Sequence, residues 1–224
     1  MDVKRRLDDG VHADSQDEHG STALMKASDK GHKEICELLI TRYCNVDMQN
    51  KDGYTALMEA SSNGHKAVCE LLITRGCNVD MQNKHGYTAL IHASSNGHKA
   101  VCELLITRGC NVDIQDEAGW TALIHASSNG HKAVCELLIT RGCNVDVQNK
   151  WGNTALINAS AYGPHGGDIS VPVVISLIKA GCDYSLRNKD GKSAMDHLRE
   201  KHPDKVEEVQ VSRSPTAVVT HSLI

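Results

Sequence analysis

One segment of this chain occurs three times without a single change. The sequence ASSNGHKAVCELLITRGCNVD stands at residues 60–80, 93–113 and 126–146, so successive copies begin 33 residues apart. Glycines keep this interval outside the identical copies: Gly20, Gly53, Gly86, Gly119 and Gly152. A period of about 20–50 residues is the signature of a stacked array in which each unit buries its apolar face against its neighbours. The chain is therefore expected to fold as a row of similar units.

Each unit is predicted to contain two helices and a turn. Thr55–Ser62 opens with a hydroxyl residue suited to a helix N-cap, and the Asn-Gly pair after it is a helix terminator. His65–Arg75 has apolar residues at i, i+3 and i+4 from Val68, which places them on one face of a second helix. The turn formers of residues 78–87 then predict an extended excursion with a tight glycine turn.

These units resemble ankyrin repeats. The resemblance rests on a D/K-x-G-x-T-A-L opening, a Gly-His pair before the second helix, paired leucines within it and a G-C-N-V-D ending, and it extends over about residues 17–205. It implies an all-α fold, namely a solenoid of helix-turn-helix units with short β-hairpin turns whose concave face binds partner proteins. Where the family usually has T-P-L-H, this chain has apolar residues in place of the histidine, and we expect them to pack in the core: Met25, Met58, Ile91, Ile124 and Ile157.

The period also predicts domain boundaries. An N-terminal half-repeat cap is predicted at 1–16, repeats 1 to 4 at 17–49, 50–82, 83–115 and 116–148, repeat 5 at 149–187, a C-terminal capping repeat at 188–210 and a flexible tail at 211–224. Repeat 5 contains an inserted loop at 163–168. Because lengthening a surface loop costs little, we interpret this loop as a tolerated insertion, with a second contact site or a hinge as the alternative.

Charge and composition argue against several classes of protein. With 24 Lys and Arg against 28 Asp and Glu, the formal net charge is −4, which does not suit a nucleic-acid-binding protein. The sequence has neither a run of roughly 18 apolar residues nor the apolar segment of a secretory signal, so we predict no membrane insertion. The expected location is the cytoplasm or the nucleus, and the array is expected to be monomeric on its own.

The numerous Cys and His residues follow the period as well. The nine cysteines form no C-x-x-C pair and recur at apolar positions, which is typical of small buried hydrophobes, so reduced core thiols are predicted. His92 and His125 occupy the same first-helix position in adjacent repeats. At a helix spacing of about 8–10 Å, two imidazoles do not readily share a metal ion. No catalytic motif occurs, so we predict a non-enzymatic protein without a cofactor or metal.

Comparison of the units with one another locates a candidate binding site. Positions kept in every unit serve the shared fold, whereas positions that differ are free of that requirement. The differences cluster in the turns and on the first helices, which line the concave face of the resembled fold. Tyr and Trp are frequent interface anchors, so four rings are predicted to anchor a protein or peptide partner: Tyr54, Tyr87, Trp120 and Trp151. Polar residues are predicted to complete the site: Asp52, Glu59, His85, His92, His125 and Asn153.

Three alternatives remain at this stage. In the first, Tyr54, Tyr87 and Trp120 cover the neighbouring hairpin and contact no partner. In the second, the array is an architectural spacer whose C-terminal Ser222-Leu223-Ile224 is a PDZ-type ligand. In the third, the chain is an enzyme or a metal protein, an interpretation supported only by the 13 histidines.

Overall fold

The computed structural model describes Asp8, residues 10–161 and residues 169–211. Its contacts divide the chain into two compact units, residues 1–117 and residues 118–224, called the first and second units below. In the described residues the regular elements are helices, and one isolated antiparallel bridge joins Gln16 to Thr22. The predicted all-α fold is therefore confirmed.

The described residues of the first unit include three helix pairs. Their bounds are α1 Ala23–Asp29, α2 Lys33–Thr41, α3 Ala56–Ser62, α4 Lys66–Thr74, α5 Ala89–Ser95 and α6 Lys99–Thr107. The two helices of each pair contact each other. Among the first helices, α1 packs on α3 and α3 on α5, and among the second helices, α2 contacts α4 and α4 contacts α6.

The second unit continues the same pattern and ends differently. Its helices are α7 Ala122–Ser128, α8 Lys132–Thr140, α9 Ala155–Ala161, α10 Val171–Lys179 and α11 Ala194–Lys201, followed by a 3-10 turn at Pro203–Lys205 and α12 Val206–Val211. Helix α9 packs between α7 and α11, while α12 contacts both α10 and α11.

Threonine caps explain where the first helices begin. The hydroxyl of Thr55 accepts a hydrogen bond from the Met58 N–H at 3.2 Å, and Thr88 accepts one from Ile91 at the same distance. Such a cap contributes about 1 kcal/mol to helix stability. The predicted first helix at Thr55–Ser62 is thus confirmed, with Thr55 as its cap.

The core is built from aliphatic side chains and thiols. Leu72 and Cys69 are completely buried, and Ala60 lets neighbouring helices approach closely. The hydroxyl of Ser61 lies 3.5 Å from Cys69 Sγ inside this core. The residues that replace the family's histidine are buried to 1–2% exposure, as expected: Met25, Met58, Ile91, Ile124 and Ile157.

Consecutive repeats are joined by histidines that reach backwards. His65 Nε2 lies 3.0 Å from the Asp29 carbonyl oxygen, and His98 Nε2 lies 3.0 Å from that of Ser62. Gly31 and Gly64 lie beneath these rings, since a Cβ added to either would come within 2.6 Å of the imidazole Nδ1. His65 and His98 therefore have a structural role in joining consecutive repeats.

The turns are joined by backbone hydrogen bonds. In the first unit, Lys84 N–H donates to the Asp52 carbonyl and Glu117 N–H to the His85 carbonyl, each at 3.0 Å. The Gln49 side-chain amide adds two bonds, to the Gly53 carbonyl at 2.7 Å and to the Gln82 carbonyl at 3.0 Å. Backbone groups and the Gln49 side-chain amide therefore hold these turns together. None of these hydrogen bonds uses a side-chain atom of Asp52 or His85.

Tyr43 departs from the repeat pattern. It is the one non-glycine residue with a positive φ, 59°, in the described part of the chain, and its side chain is 95% exposed. The same position in later repeats is glycine, for example Gly76 and Gly109. A bulky residue in this left-handed region is strained.

Three predicted segments lie wholly or partly outside the described residues. These are half of the N-terminal cap at 1–16, the inserted loop at 163–168 and the tail at 211–224, of which Val211 is described as the end of α12. The domain boundaries stay predictions.

Candidate partner-binding surface

Three positions per repeat supply the predicted contact residues. The tip position lies in the turn, one residue before its glycine, and holds Asp52, His85, Ala118, Trp151 and Asp190. The ring position lies two residues later and holds Tyr54, Tyr87, Trp120, Asn153 and Lys192. The inner-helix position lies on the first helix and holds Lys26, Glu59, His92, His125, Asn158 and His197.

In the first unit, ring and inner-helix residues meet around His92. The imidazole centroid lies 5.2 Å from the Tyr54 ring of the preceding repeat and 5.3 Å from the Tyr87 ring of its own repeat. Both separations fall in the range of favourable aromatic pairs, about 4.5–7 Å. All three side chains are half-buried, so the cluster covers the first helices while leaving one side towards solvent.

The tyrosines of this cluster are neutral at physiological pH. Burial raises the pKa of Tyr54, and the charges of Glu59 and Asp52 raise it further. Burial also raises the pKa of Tyr87, with Asp116 as the next cause. The phenol groups therefore offer hydrogen bonds and apolar area to a ligand, and no charge.

Two tip residues of the first unit have a hydrogen-bonded backbone and an exposed side chain. The Asn50 side-chain oxygen accepts from Asp52 N–H at 3.0 Å, and the Asn83 side-chain oxygen accepts from His85 N–H at 3.0 Å. The side chains of Asp52 and His85 are exposed. They can contact a partner without any rearrangement of the turn.

Glu59 is the acidic member of the inner-helix position. It is half-buried, and burial raises the pKa of its carboxyl, with the nearby Asp29 charge as the second cause and Lys30 acting in the opposite direction. A cationic group on a partner would relieve this unfavourable environment of the carboxylate.

In the second unit, Trp120 covers His125. Their ring centroids lie 5.0 Å apart, Trp120 is half-buried, and His125 is 8% exposed. His125 thus lies behind the indole and presents little surface of its own to a ligand.

Trp151 is the most exposed ring of the predicted site. Its side chain is 54% exposed. Its backbone N–H donates to the Asn149 side-chain oxygen at 2.9 Å, and its backbone carbonyl accepts from the Lys189 backbone N–H at 2.9 Å. The backbone is therefore held at both ends while the indole faces solvent.

Repeat 5 has two amides where repeat 4 has the ring pair of Trp120 and His125. Asn153 stands at the ring position and is half-buried, and Asn158 stands at the inner-helix position with 2% exposure. Neither the Asn153 side-chain oxygen nor the Asn158 side-chain nitrogen has a hydrogen-bond partner among the described residues. This part of the surface is polar where the corresponding part of repeat 4 is aromatic.

The predicted anchor rings differ in exposure from what the sequence suggested. Trp151 is exposed as expected, but Tyr54, Tyr87 and Trp120 are half-buried because each packs on a histidine. These contacts are made to histidines of the first helices, whereas the alternative has the three rings cover the neighbouring hairpin, and they leave part of each ring accessible. A role in partner binding stays a prediction for all ten residues.

Sequence reasoning missed Asn158 and Lys189. Asn158 lies 33 residues after His125, so the period places it at the inner-helix position. Lys189 follows Lys150 after 39 residues, the interval of the lengthened repeat. Continuing both series past repeat 4 would have found them.

The described residues provide no obvious reactive centre. No group of three or more His, Cys, Asp or Glu among them has the arrangement of a metal site. The nine thiols are buried and none forms a disulfide, and burial raises the pKa of Cys69 to about 11 and of Cys77 to about 12. No helix in this part of the chain combines the length and apolar character needed to cross a membrane.

Comparisons with known proteins agree with this architecture. A family model described as ankyrin repeats (3 copies) matches residues 3–83, 68–149 and 97–188. The comparison with curated proteins finds no match. Among solved structures, the chain is similar to an ankyrin repeat domain from Acinetobacter baumannii, with 26% identity, a TM-score of 0.75 and coverage of 84% of this chain and 96% of that one. A second ankyrin repeat protein has 25% identity and a TM-score of 0.78, covering 89% of this chain and 100% of the other.

Proposed function

Since the chain belongs to the ankyrin-repeat family, we propose that it is a non-enzymatic scaffold or adaptor that binds a partner protein or peptide through its turn tips and first helices. Arrays of this kind present extended concave binding surfaces. The observation that carries the proposal is the contrast between fixed turn backbones and exposed tip side chains at Asp52, His85 and Trp151.

The variation between repeats supports the same surface. The second helices of repeats 2 to 4 are identical in sequence, whereas their tips read Asp52, His85 and Ala118. An array that only spaced other elements would have no use for this diversity at the tips. The C-terminal alternative depends on residues outside the described part of the chain, and no contact argues for it.

The cytoplasm is the proposed location. The chain has nine cysteines, and none of them forms a disulfide. Intracellular proteins keep thiols in this reduced form, whereas disulfides accumulate in secreted ones. A monomer is the proposed state before a partner binds.

Proximity labelling of the full chain tests the proposal. The test variant carries Asp52→Ala, His85→Ala and Trp151→Ala, all at exposed positions that do not contribute to the core. The matched control carries Lys66→Ala, Lys99→Ala and Lys132→Ala on exposed positions of the second helices. We expect specific partners to be lost from the test variant and kept by the control. Partners lost equally from both variants, or from neither, would contradict the assignment of this surface.

A further inference from the structure

The tip of repeat 5 combines an exposed indole with two exposed lysines. This repeat 5 tip consists of Trp151, its chain neighbour Lys150 and Lys189 of the following turn. The Lys189 N–H donates to the Trp151 carbonyl at 2.9 Å, so the two residues lie side by side. Both lysines are exposed, and neither forms an ion pair within the described residues.

Other basic groups on this side of the second unit are already neutralised. Arg187 pairs with Asp196 at 2.8 Å, and Lys192 pairs with Glu200. One carboxylate, Asp190, stands at the tip of the following turn, and its charge contributes to the raised pKa of Lys192 after the larger effect of Glu200. Two free ammonium groups and one carboxylate therefore leave the repeat 5 tip with an excess positive charge.

We propose that the repeat 5 tip binds an acidic segment of a partner protein, which places an apolar side chain on the indole of Trp151 and carboxylates near Lys150 and Lys189. The inference rests on the proposed function and names the chemistry of the partner. The indole supplies apolar area on a fixed backbone, so little conformational entropy is lost on binding. The lysines supply charge complementarity, which increases association rates and selects against basic partners.

The tips of the first unit have a different character. There the lysines at 51 and 84 lie next to Asp52 and His85, Glu117 occupies the corresponding position of repeat 4, and no tip residue is a tyrosine or a tryptophan. The combination of an exposed ring and unbalanced positive charge is thus a property of repeat 5. Two lysines on a chain of net charge −4 are few for a nucleic-acid site, where affinity comes from many phosphate contacts.

Tryptophan fluorescence can report on this tip alone. The chain has two tryptophans, and Trp120→Tyr installs the residue that repeats 2 and 3 carry at the ring position. The remaining fluorescence then comes from Trp151. The probe is a synthetic peptide in which Glu residues flank a central Leu pair, and the two comparison peptides carry Gln or Lys in place of Glu.

We expect the Glu peptide to shift Trp151 emission saturably and its affinity to fall as salt is added. The double variant Lys150→Glu with Lys189→Glu should bind the Glu peptide on the order of tenfold more weakly, a loss of about 1.4 kcal/mol in binding free energy. The control Lys132→Glu with Lys179→Glu makes the same change of charge at exposed positions on the second helices, and it should bind as the parent does. Circular dichroism spectra of all variants should coincide.

Several outcomes would overturn the inference. If the Gln or Lys peptide bound as tightly as the Glu peptide, the tip would not select acidic partners. An equal loss of affinity in the control variant would contradict the proposal in the same way. If a single-stranded oligonucleotide bound more tightly than the Glu peptide, the ligand of the tip would be a nucleic acid. If no peptide changed the Trp151 emission, the repeat 5 tip would not be the binding site. In each case the labelling experiment with Asp52, His85 and Trp151 still decides whether the broader surface binds a partner.

Discussion

His98 closes over Gly64 of the preceding repeat. Its Nε2 donates to the Ser62 carbonyl at 3.0 Å, and a Cβ on Gly64 would lie 2.6 Å from its Nδ1. The pair therefore joins two repeats by a hydrogen bond and by close packing, and the packing requires a residue without a side chain. His65 and Gly31 repeat this arrangement one unit earlier.

Alanine at Gly64 should be more destabilising than alanine at Gly76. Both glycines have positive φ, 74° and 83°, but a Cβ at Gly76 meets nothing within 4 Å. We expect Gly76→Ala to cost about 1–2 kcal/mol from backbone strain, and Gly64→Ala to cost about 1–2 kcal/mol more because the His98 ring must move. Urea unfolding followed by circular dichroism measures both. If both variants lost the same free energy of unfolding, the contact between Gly64 and His98 would not contribute to the difference in stability.

Glycine at Tyr43 should stabilise the chain. The φ of 59° strains a tyrosine, and a side chain that is 95% exposed gains little packing in return. Tyr43→Gly should raise the free energy of unfolding by about 0.5–1 kcal/mol, after allowance for the greater freedom of glycine in the unfolded chain. Tyr43→Ala removes the ring but keeps the strain, so it should bring no gain; an equal gain from alanine would point to the ring as the cause.

Glutamine at Glu59 should stabilise the chain at neutral pH. Burial and Asp29 raise the pKa of the Glu59 carboxyl in the folded state, so the folded state binds its proton more tightly than the unfolded state does. The contribution of Glu59 to stability is then full at low pH and is lost as pH rises through the folded-state pKa. Thermal unfolding of Glu59→Gln should show a higher midpoint than wild type at about pH 7, and the difference should disappear near pH 4. A constant difference across this range would exclude titration of Glu59 as its source.

The last helix pair should loosen in acid through His197. This side chain is 7% exposed, and its Nε2 lies 3.3 Å from the Asn188 side-chain nitrogen. Burial lowers the pKa of His197, Lys201 and Lys192 lower it further, and Glu200 and Asp196 oppose them. Stability contributed by the neutral ring is therefore present above a pH of about 6.5 and is lost as pH falls through the lowered pKa.

Hydrogen exchange can follow this effect in α11. Protection factors for residues 194–201 should fall between about pH 7 and pH 5 in the wild type. His197→Asn, which installs the residue found in repeat 5, should make them nearly independent of pH. A similar acid loss in this variant would assign the effect to another group.

The thiols should be unreactive until the chain unfolds. Burial raises the pKa of Cys102 to about 11, and burial with the Asp80 charge raises that of Cys110 to about 12. Since the thiolate is the reactive form, iodoacetamide should leave the native thiols largely unmodified near pH 8, far below these values. Mass spectrometry should then count nine modified thiols in denaturant. Rapid labelling of the native protein would show that the helices open locally.

The repeat period predicted the helices because the same local signals recur in each unit. Thr55, the Asn-Gly pair after Ser62 and the apolar face from Val68 act within one repeat, so each can be recognised from neighbouring residues. The apolar replacement at Met58 was equally readable, because it lies between buried neighbours on the same helix.

Ring exposure could not be predicted in the same way. Tyr54 is partly covered by His92 of the next repeat, and the height of one ring over another depends on the stacking of two units. Trp151 stands at the tip position, where its side chain is 54% exposed. The strain at Tyr43 has a sequence signal, a tyrosine in a series of glycines, but its φ angle is a property of the folded backbone.

The two hydrogen bonds of the Gln49 amide have an evolutionary consequence. Both are made to carbonyl groups, so the spacing between adjacent turns does not depend on the identity of any tip side chain. A duplicated repeat inherits this spacing unchanged, and its tip can then mutate while the copies around it keep their positions. The three identical segments follow turns whose tips differ, Asp52, His85 and Ala118, so the tip residue can change while the second helix of that copy stays the same.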